Sequence, residues 1–185
     1  MKKRLLSLVA VAILVALPLS ASTFIAMSET ELLAGSQAVV QGKVLDVRSF
    51  WNDDRTAIVT EARVLVDELV AGEAPSVVVV KTFGGQVGDI VIEAHGFPTF
   101  QAGEQVLLYL SPDGDDFRVT GYRLGHLRIR DTAKGRLAVP TVEEGVRFFT
   151  RDGQLAPLPR PESLELLKER IREREHLMPD LRSER

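Results

Sequence analysis

The sequence contains no cysteine among its 185 residues. That absence excludes disulfide bonds, thiolate zinc sites, a cysteine nucleophile and a lipid-modified cysteine behind a leader. Aromatic residues make up only 6% of the chain and include a single tryptophan, so the position of each one is informative. Three histidines occur, and they limit the acid–base and metal chemistry that the chain offers.

Long apolar runs are absent except at the beginning of the chain. Three cationic residues at 2–4 precede the mostly apolar run 5–19, and small residues follow at 20–22. This order is typical of a secretory signal peptide. An uncleaved anchor is the alternative, but a bilayer span needs about 20 apolar residues and this run is shorter. The sequence therefore predicts an exported bacterial protein, periplasmic or secreted, that is cleaved after Ala21 or Ser22.

Basic charge is in the minority. The whole chain has 23 basic and 26 acidic residues, and loss of the three leader cations leaves 20 against 26, a net charge of −6 with neutral histidines. An acidic chain is unsuited to sequence-independent binding of nucleic acid, which depends on neutralising phosphates. It is equally unsuited to an anionic membrane surface. We expect neither nucleic acid nor, after removal of the leader, a membrane as a partner.

The remaining chain begins with a short helix and continues as a series of strands. Ser28 and Glu31 have the spacing of a capping box ahead of a helix that ends at Gly35. Six to eight segments rich in β-branched and apolar residues follow, joined by short turns, and Gly42 within the first predicts a bulge or a coil in the strand. The predicted strands lie at 37–51, 56–69, 77–83, 89–94, 105–111, 117–122, 126–130 and 135–140.

These strands alternate with period two and show no strand–helix–strand rhythm, which predicts a mainly β, antiparallel fold. Closure into a small barrel would remove exposed strand edges. A long first strand interrupted by Gly42 suits an OB-like Greek-key barrel, and a β-sandwich is the alternative.

The C-terminal part changes character. Three prolines between residues 157 and 161 precede a helical pattern in which Leu164, Leu167 and Ile171 form one narrow apolar stripe. We interpret this segment as an amphipathic helix that rests one edge on the barrel, with a partner-docking helix as the alternative. The predicted organisation is a signal peptide at 1–22, a β-barrel domain at 23–150, and a proline-rich linker with the C-terminal helix at 151–185.

Four segments carry a resemblance to known proteins: SETELLAGSQAVVQGKV, TEARVLVDELVAGE, VVVVKTFGGQVGD and FPTFQAGEQVLLYL. Their order resembles a family of exported bacterial proteins of unknown function. It is also distantly similar to the barrel of netrin-like domains and tissue inhibitors of metalloproteinases, with Ala71-Gly72 ending one strand and Gly103-Glu104 preceding another. The resemblance implies an OB-type fold. Protease inhibition in that family uses an amino-terminal cysteine that chelates zinc, so the absence of cysteine excludes the same mechanism here.

The stretch TFGGQVGD, residues 82–89, has three glycines within five positions and raises the question of a phosphate-binding loop. Such loops lead into the N-terminus of a helix, whereas residues 89–94 are predicted to be a strand. We therefore predict that Gly84 and Gly85 adopt positive φ angles in a connector, where two apolar strands turn back on one another.

Residues for catalysis are sparse. No G-x-S-x-G elbow is present, and no pair of histidines has the local spacing of metal ligands. We expect no metal and no cofactor. A hydrolase remains an alternative if His95 and His126 meet a carboxylate such as Asp89 or Glu93.

The scarce aromatic residues provide the other candidates. Trp51 ends the first long strand, and Phe97 and Phe100 flank Pro98 in a long connection. They could plug the ends of a barrel or form an apolar patch for a ligand. With His95 and His126, these three residues are the candidate ligand-binding residues. We expect a non-catalytic binding or interaction module for an unknown protein or envelope component; alternatives are a hydrolase and an envelope assembly factor acting through its C-terminal helix.

The leader yields the first testable prediction. Because small residues at 20–22 end the apolar run, protein recovered from the periplasm or medium of a bacterial host should begin at Ser22 or Thr23. Intact-mass spectrometry and N-terminal sequencing measure this directly. An exported product that retains Met1 would contradict cleavage and support an anchor.

Overall fold

The structure is a computed structural model that describes residues 23–142 and 147–177. The predicted signal peptide lies outside these residues. Neither α-helix within the described ranges is long and apolar enough to cross a bilayer.

Across the described ranges the chain forms twelve strands, two α-helices and one 3-10 helix. The α-helices are α1 (Glu29–Ala34) and α2 (Leu164–His176), and the 3-10 helix is Tyr122–Gly125. The strands are β1 (Thr23–Ile25), β2 (Ala38–Trp51), β3 (Ile58–Gly72), β4 (Val77–Phe83), β5 (Gly85–Val87), β6 (Ile90–Ile92), β7 (Gln105–Asp113), β8 (Asp116–Val119), β9 (His126–Thr132), β10 (Gly135–Pro140), β11 (Arg147–Phe149) and β12 (Glu162–Ser163). The prediction of a mainly β protein with an N-terminal and a C-terminal helix is confirmed.

Helix α1 has the predicted capping box. The backbone N–H of Glu31 donates to Ser28 Oγ at 3.2 Å, and the backbone N–H of Ser28 donates to Glu31 Oε2 at 2.8 Å. These bonds satisfy amide groups that a helix N-terminus otherwise leaves unpaired. The helix ends at Gly35 and buries Leu32 and Leu33 against the sheet.

Eight strands form one sheet in the order β12-β10-β9-β7-β2-β3-β4-β8. Strand β8 also pairs with β7, so the strands β7, β2, β3, β4 and β8 are connected in a closed ring. Within this ring every pairing is antiparallel except that of β4 with β8, which is parallel and joins Val80 to Phe117 and Lys81 to Arg118. Strands β1 and β11 are parallel as well, so the prediction of a purely antiparallel fold is wrong at these two pairs.

The predicted irregularity at Gly42 is present. The register between β2 and β3 shifts between Gln41 and Gly42, which marks a bulge. A β-carbon at position 42 would lie 2.3 Å from the carbonyl oxygen of Leu65, so only glycine fits this close approach of two backbones. The bulge bends β2, whose first part pairs with both β3 and β7 while its second part pairs with β3.

Two groups of buried side chains lie against this sheet. The first group comes mainly from the five ring strands and also includes Phe100. The second group joins the sheet to the two α-helices and contains Leu33, Tyr109 and Ile171, each at most 1% exposed. Both helices therefore share one core with the sheet.

Helix α2 is held by charge as well as by apolar packing. The predicted stripe of Leu164, Leu167 and Ile171 is buried, as expected. Lys168 is only 2% exposed, and its Nζ lies 2.8 Å from Glu68 Oε2 and 2.9 Å from Glu165 Oε2. A buried ammonium group requires such partners because burial removes it from water. The interpretation of α2 as a helix that rests on the sheet is confirmed, and the domain boundary at residue 150 stays a prediction.

The glycine-rich connector differs from expectation in its pairing. Gly84 and Gly85 have φ angles of 89° and 128°, which confirms the predicted positive φ. However, the strand in residues 89–94 does not pair with β4. It is β6, and it pairs with β5 across a two-residue turn at 88–89. The two glycines change the direction of the chain after β4, and the residues that follow form the separate β5–β6 hairpin.

Burial of the α2 stripe leads to the second prediction. Ile171→Ala should lower the free energy of unfolding by about 2–5 kcal/mol, because it leaves a cavity in the shared core. Leu166→Ala on the same helix is the matched control, since Leu166 is 62% exposed and should change stability by less than about 0.5 kcal/mol. Urea unfolding measures both values. Equal effects of the two substitutions would contradict the integration of α2 into the fold.

Candidate ligand-binding site

A cleft of about 600 Å³ opens beside the ends of β2, β3 and β4. The β5–β6 hairpin and the connection from residue 93 to residue 100 form its other walls. The lining residues are Val47, Ser49, Thr60, Thr82, Phe83, Gly84, Gly85, Gln86, Val91, Ile92, Glu93, Ala94, His95, Pro98, Thr99, Phe100 and Arg123. Polar groups with small apolar and aromatic side chains are the usual composition of a ligand pocket.

Hydroxyl groups connect the walls of this cleft. Ser49 Oγ and Thr60 Oγ1 are 2.8 Å apart, and Thr60 Oγ1 donates to the carbonyl oxygen of Gly84 at 2.6 Å. A β-carbon at Gly85 would lie 2.3 Å from Thr60 Oγ1 and 2.4 Å from Ser49 Oγ. The glycines therefore let the hairpin backbone approach this hydroxyl pair, which explains why they occur in the connector.

A row of three aromatic rings lies beside the cleft. Phe97 makes edge contacts with Phe83 and Tyr122, at ring-centroid distances of 5.2 and 5.0 Å. Phe83 and Tyr122 are each 54% exposed. We call Phe83, Phe97 and Tyr122 the aromatic row. It lines a second hollow of about 450 Å³, with Lys81 and Arg118 among the neighbouring residues.

The aromatic row occupies the place where β4 and β8 separate. Their parallel pairing reaches no further than Lys81 and Arg118, so the strands diverge beyond these residues. The connection containing Phe97 enters this gap, and Thr82 Oγ1 fastens it by donating to the carbonyl oxygen of Pro98 at 3.0 Å. The hollow that the aromatic row lines therefore exists because β4 and β8 pair over only two residue pairs.

Tyr122 is held in an unusual backbone conformation. Its φ angle is 55°, a left-handed value that costs a bulky residue on the order of 1–3 kcal/mol. The next residue, Arg123, donates its backbone N–H to the carbonyl oxygen of Gly96 at 3.1 Å. This bond joins the 3-10 helix to the connection that carries Phe97, and it keeps the Tyr122 ring in the row.

The structure places three of the five candidate residues, His95, Phe97 and Phe100, at the cleft or the aromatic row, at different depths. His95 is exposed and lines the cleft. Phe97 is half-buried in the aromatic row, while Phe100 is buried and contributes to both the cleft wall and the core. Trp51 is half-buried at the end of β2 and is not among the cleft-lining residues.

The fifth candidate, His126, lies behind the cleft wall. Its side chain is fully buried and its ring packs 4.9 Å from that of Phe100. Nδ1 lies 3.3 Å from Thr141 Oγ1, and Nε2 lies 3.8 Å from Glu104 Oε1. Glu104 pairs in turn with Arg128 at 3.0 Å. His126 therefore belongs to a buried polar cluster and does not join His95 in the cleft.

Burial controls the protonation of this cluster. Desolvation lowers the pKa of His126 to about 3, and the positive charges of Arg128 and Arg123 act in the same direction. Desolvation also raises the pKa of the Glu104 carboxyl above its usual value. The imidazole is therefore neutral at physiological pH, which is consistent with a packing role.

Metal ligands do not converge in the part of the chain that the structure describes. No group of three or more histidine, aspartate or glutamate side chains there could hold an ion. Glu93 and His95 both line the cleft, but no third such residue joins them.

The sequence pattern does not single out several residues of this region. It predicts Phe83 only as the end of one strand and Tyr122 only as the end of another. A signal existed for Tyr122, because it follows Gly121 in a strand pattern that a glycine interrupts. No local signal indicates that Ser49 and Thr60 meet, since their pairing depends on the register between β2 and β3.

Comparisons with protein-family models, curated protein sequences and solved structures found no match to this chain.

The buried histidine gives the third prediction. An unfolded chain binds a proton at His126 near pH 6.5, whereas the folded chain resists protonation until about pH 3. Stability should therefore fall as the pH drops from 6.5 to 3, by roughly 3–5 kcal/mol in total, since each pKa unit corresponds to about 1.4 kcal/mol. The raised pKa of Glu104 acts in the opposite direction, so the comparison must isolate His126.

His126→Leu should flatten this acid-induced loss, measured as the free energy of urea unfolding between pH 7 and pH 3.5. His176→Leu, which removes an exposed histidine at the end of α2, is the matched control and should retain the loss. An identical pH dependence in the wild type and His126→Leu would contradict the assignment.

Proposed function

We propose that this chain is an exported, non-catalytic binding module on an OB-type barrel, and that it recognises a protein or another envelope component at the cleft and the aromatic row. The leader pattern at 1–22 supports export. The relation to netrin-like domains is proposed as a likeness of fold alone, without protease inhibition.

The order of the ring strands supports the OB-type assignment. Counted along the chain, β2, β3, β4, β7 and β8 are the first to fifth strands, and their cyclic order is one, two, three, five, four. The bulged first strand pairs with the second and the fourth, as in a five-stranded Greek-key barrel. OB-folds commonly bind ligands on the face of their second and third strands. The corresponding strands here are β3 and β4, which supply Thr60, Thr82 and Phe83 to the cleft.

The observation that carries the proposal is the position of the aromatic row beside the cleft. Exposed apolar side chains that adjoin one another are typical of interaction sites, and aromatic residues are enriched at such interfaces. A cleft of about 600 Å³ is also within the usual size range of ligand pockets. The aromatic rings can supply affinity, while the hydroxyl and amide groups of the cleft fix the orientation of a ligand.

The two alternatives have less support. A hydrolase built on His95 and His126 requires both imidazoles to reach one substrate, and the full burial of His126 behind Phe100 opposes this. An assembly factor that acts through its C-terminal helix requires a free apolar stripe, and the stripe of α2 is buried in the core.

The fourth prediction tests the aromatic row. Phe83→Ala should reduce recovery of the ligand from the cell envelope at least about fivefold, because it removes an exposed aromatic anchor. Leu155→Ala is the matched control, as Leu155 is also exposed, at 67%, and does not line the cleft. Quantitative mass spectrometry after affinity capture on the immobilised proteins measures recovery, and thermal unfolding confirms that both variants fold. Equal recovery by wild type and both variants would contradict the proposed site.

A further inference from the structure

The β5–β6 hairpin forms one wall of the cleft and ends in an open edge. Strand β6 pairs with β5 in a sheet of two strands, and no third strand pairs with it in the described part of the chain. An open edge presents backbone N–H and C=O groups that another strand can bind. The question is which strand this edge would accept.

The turn determines which backbone groups face outward. A two-residue turn, Gly88-Asp89, joins the strands, with Gly88 at a φ angle of 60°. Val87 and Ile90 are therefore the hydrogen-bonded pair that closes the hairpin. Because hydrogen-bonded and non-hydrogen-bonded pairs alternate in an antiparallel ladder, the N–H and C=O of Val91 point away from β5.

The side chains of β6 are unusually apolar for an open edge. Ile90 is 51% exposed and Val91 is 58% exposed. Charged side chains, proline or a covering element normally protect such an edge from association. Asp89 and Glu93 are the charged residues at its two ends, both exposed, and neither forms an ion pair with any other described residue.

These two carboxylates oppose pairing with a second copy of the chain. Antiparallel pairing of two β6 strands about Val91 would bring Asp89, in the turn of each copy, toward Glu93, which follows β6 in the other. Like charges brought close together across a strand pair destabilise it. The same arrangement favours a strand that carries positive charge at both of these positions.

From this geometry we propose that β6 binds an extended segment of a partner protein by strand addition, and that the segment carries an apolar residue flanked by basic residues two positions to either side. The apolar residue pairs with Val91. The basic residues lie near Asp89 in the turn and Glu93 immediately after β6, the two exposed carboxylates that flank the strand. The pattern is symmetric, so it fits a parallel or an antiparallel segment. This inference rests on the proposed binding function and specifies its partner.

The test uses two short fluorescent peptides and protein expressed from the full chain with its own leader. One peptide has a central valine with a lysine two positions to either side, and the other has glutamates in place of the lysines. Fluorescence anisotropy should show that the lysine peptide binds at least about fivefold more tightly at low ionic strength. Added salt should reduce the difference, since exposed charges are screened.

Two variants separate backbone pairing from charge. Val91→Pro removes the outward-facing N–H and should weaken the lysine peptide, and the hairpin should survive because proline is tolerated where an edge N–H faces solvent. Asp89→Lys with Glu93→Lys should reverse the preference in favour of the glutamate peptide. Glu169→Lys with Glu173→Lys makes the same change in charge on the exposed face of α2 and should leave the preference as in the wild type.

Three results would overturn the assignment: equal binding of the two peptides, no effect of Val91→Pro, or the same reversal in the α2 control. Dimers in analytical ultracentrifugation that Val91→Pro abolishes would assign the edge to a second copy instead. If the envelope ligand is still captured through Phe83 but β6 variants have no effect, strand addition is wrong and the binding function stands. If neither Phe83→Ala nor the β6 variants alter any binding, the binding function fails as well.

Discussion

The close contact between β2 and β3 at Gly42 is the constraint on which the rest of the structure depends. The β2 backbone approaches the Leu65 carbonyl so closely that no side chain fits at position 42, and the register shifts there. A bulge increases the bend and twist of a strand. Strand β2 can therefore pair with β7 in its first part and still extend along β3 in its second part, which brings Ser49 to the cleft. The closed ring and the position of the cleft therefore both depend on the bulge at Gly42.

The closure of the ring determines where a ligand can bind. Strands β4 and β8 meet over only two residue pairs and then separate, and the gap is filled from outside by Phe97, which packs between Phe83 and Tyr122. A gap filled by exposed rings is less complete than one closed by backbone hydrogen bonds. The proposed binding function follows from this incomplete closure, and the open edge of β6 extends the same region along one side.

Local patterns account for the parts of the fold that were predicted correctly. Alternation revealed the long strands, the spacing of Ser28 and Glu31 revealed α1, and the stripe of Leu164, Leu167 and Ile171 revealed the buried face of α2. The short strands β1, β5, β11 and β12 were missed, because two or three residues cannot show a period. The expected hairpin between β4 and residues 89–94 was wrong because β4 pairs on one side with β3, which precedes it in the chain, and on the other with β8, which is distant in sequence.

The sequence by itself determined the mainly β class, the two helices, the bulge and the positive φ angles at Gly84 and Gly85, because each depends on a few neighbouring residues. Only the tertiary structure decided which scarce side chains act together. It buried His126 behind Phe100, left His95 at the cleft, and joined Phe83 to Tyr122 through Phe97. The physical reason is that the exposure and the contacts of a side chain depend on strand register and on the path of the connections. Residues far apart in the chain determine both of these together. The glycine-rich stretch illustrates the difference. Its positive φ angles could be predicted from neighbouring residues, whereas its approach to Ser49 and Thr60 depends on the tertiary structure.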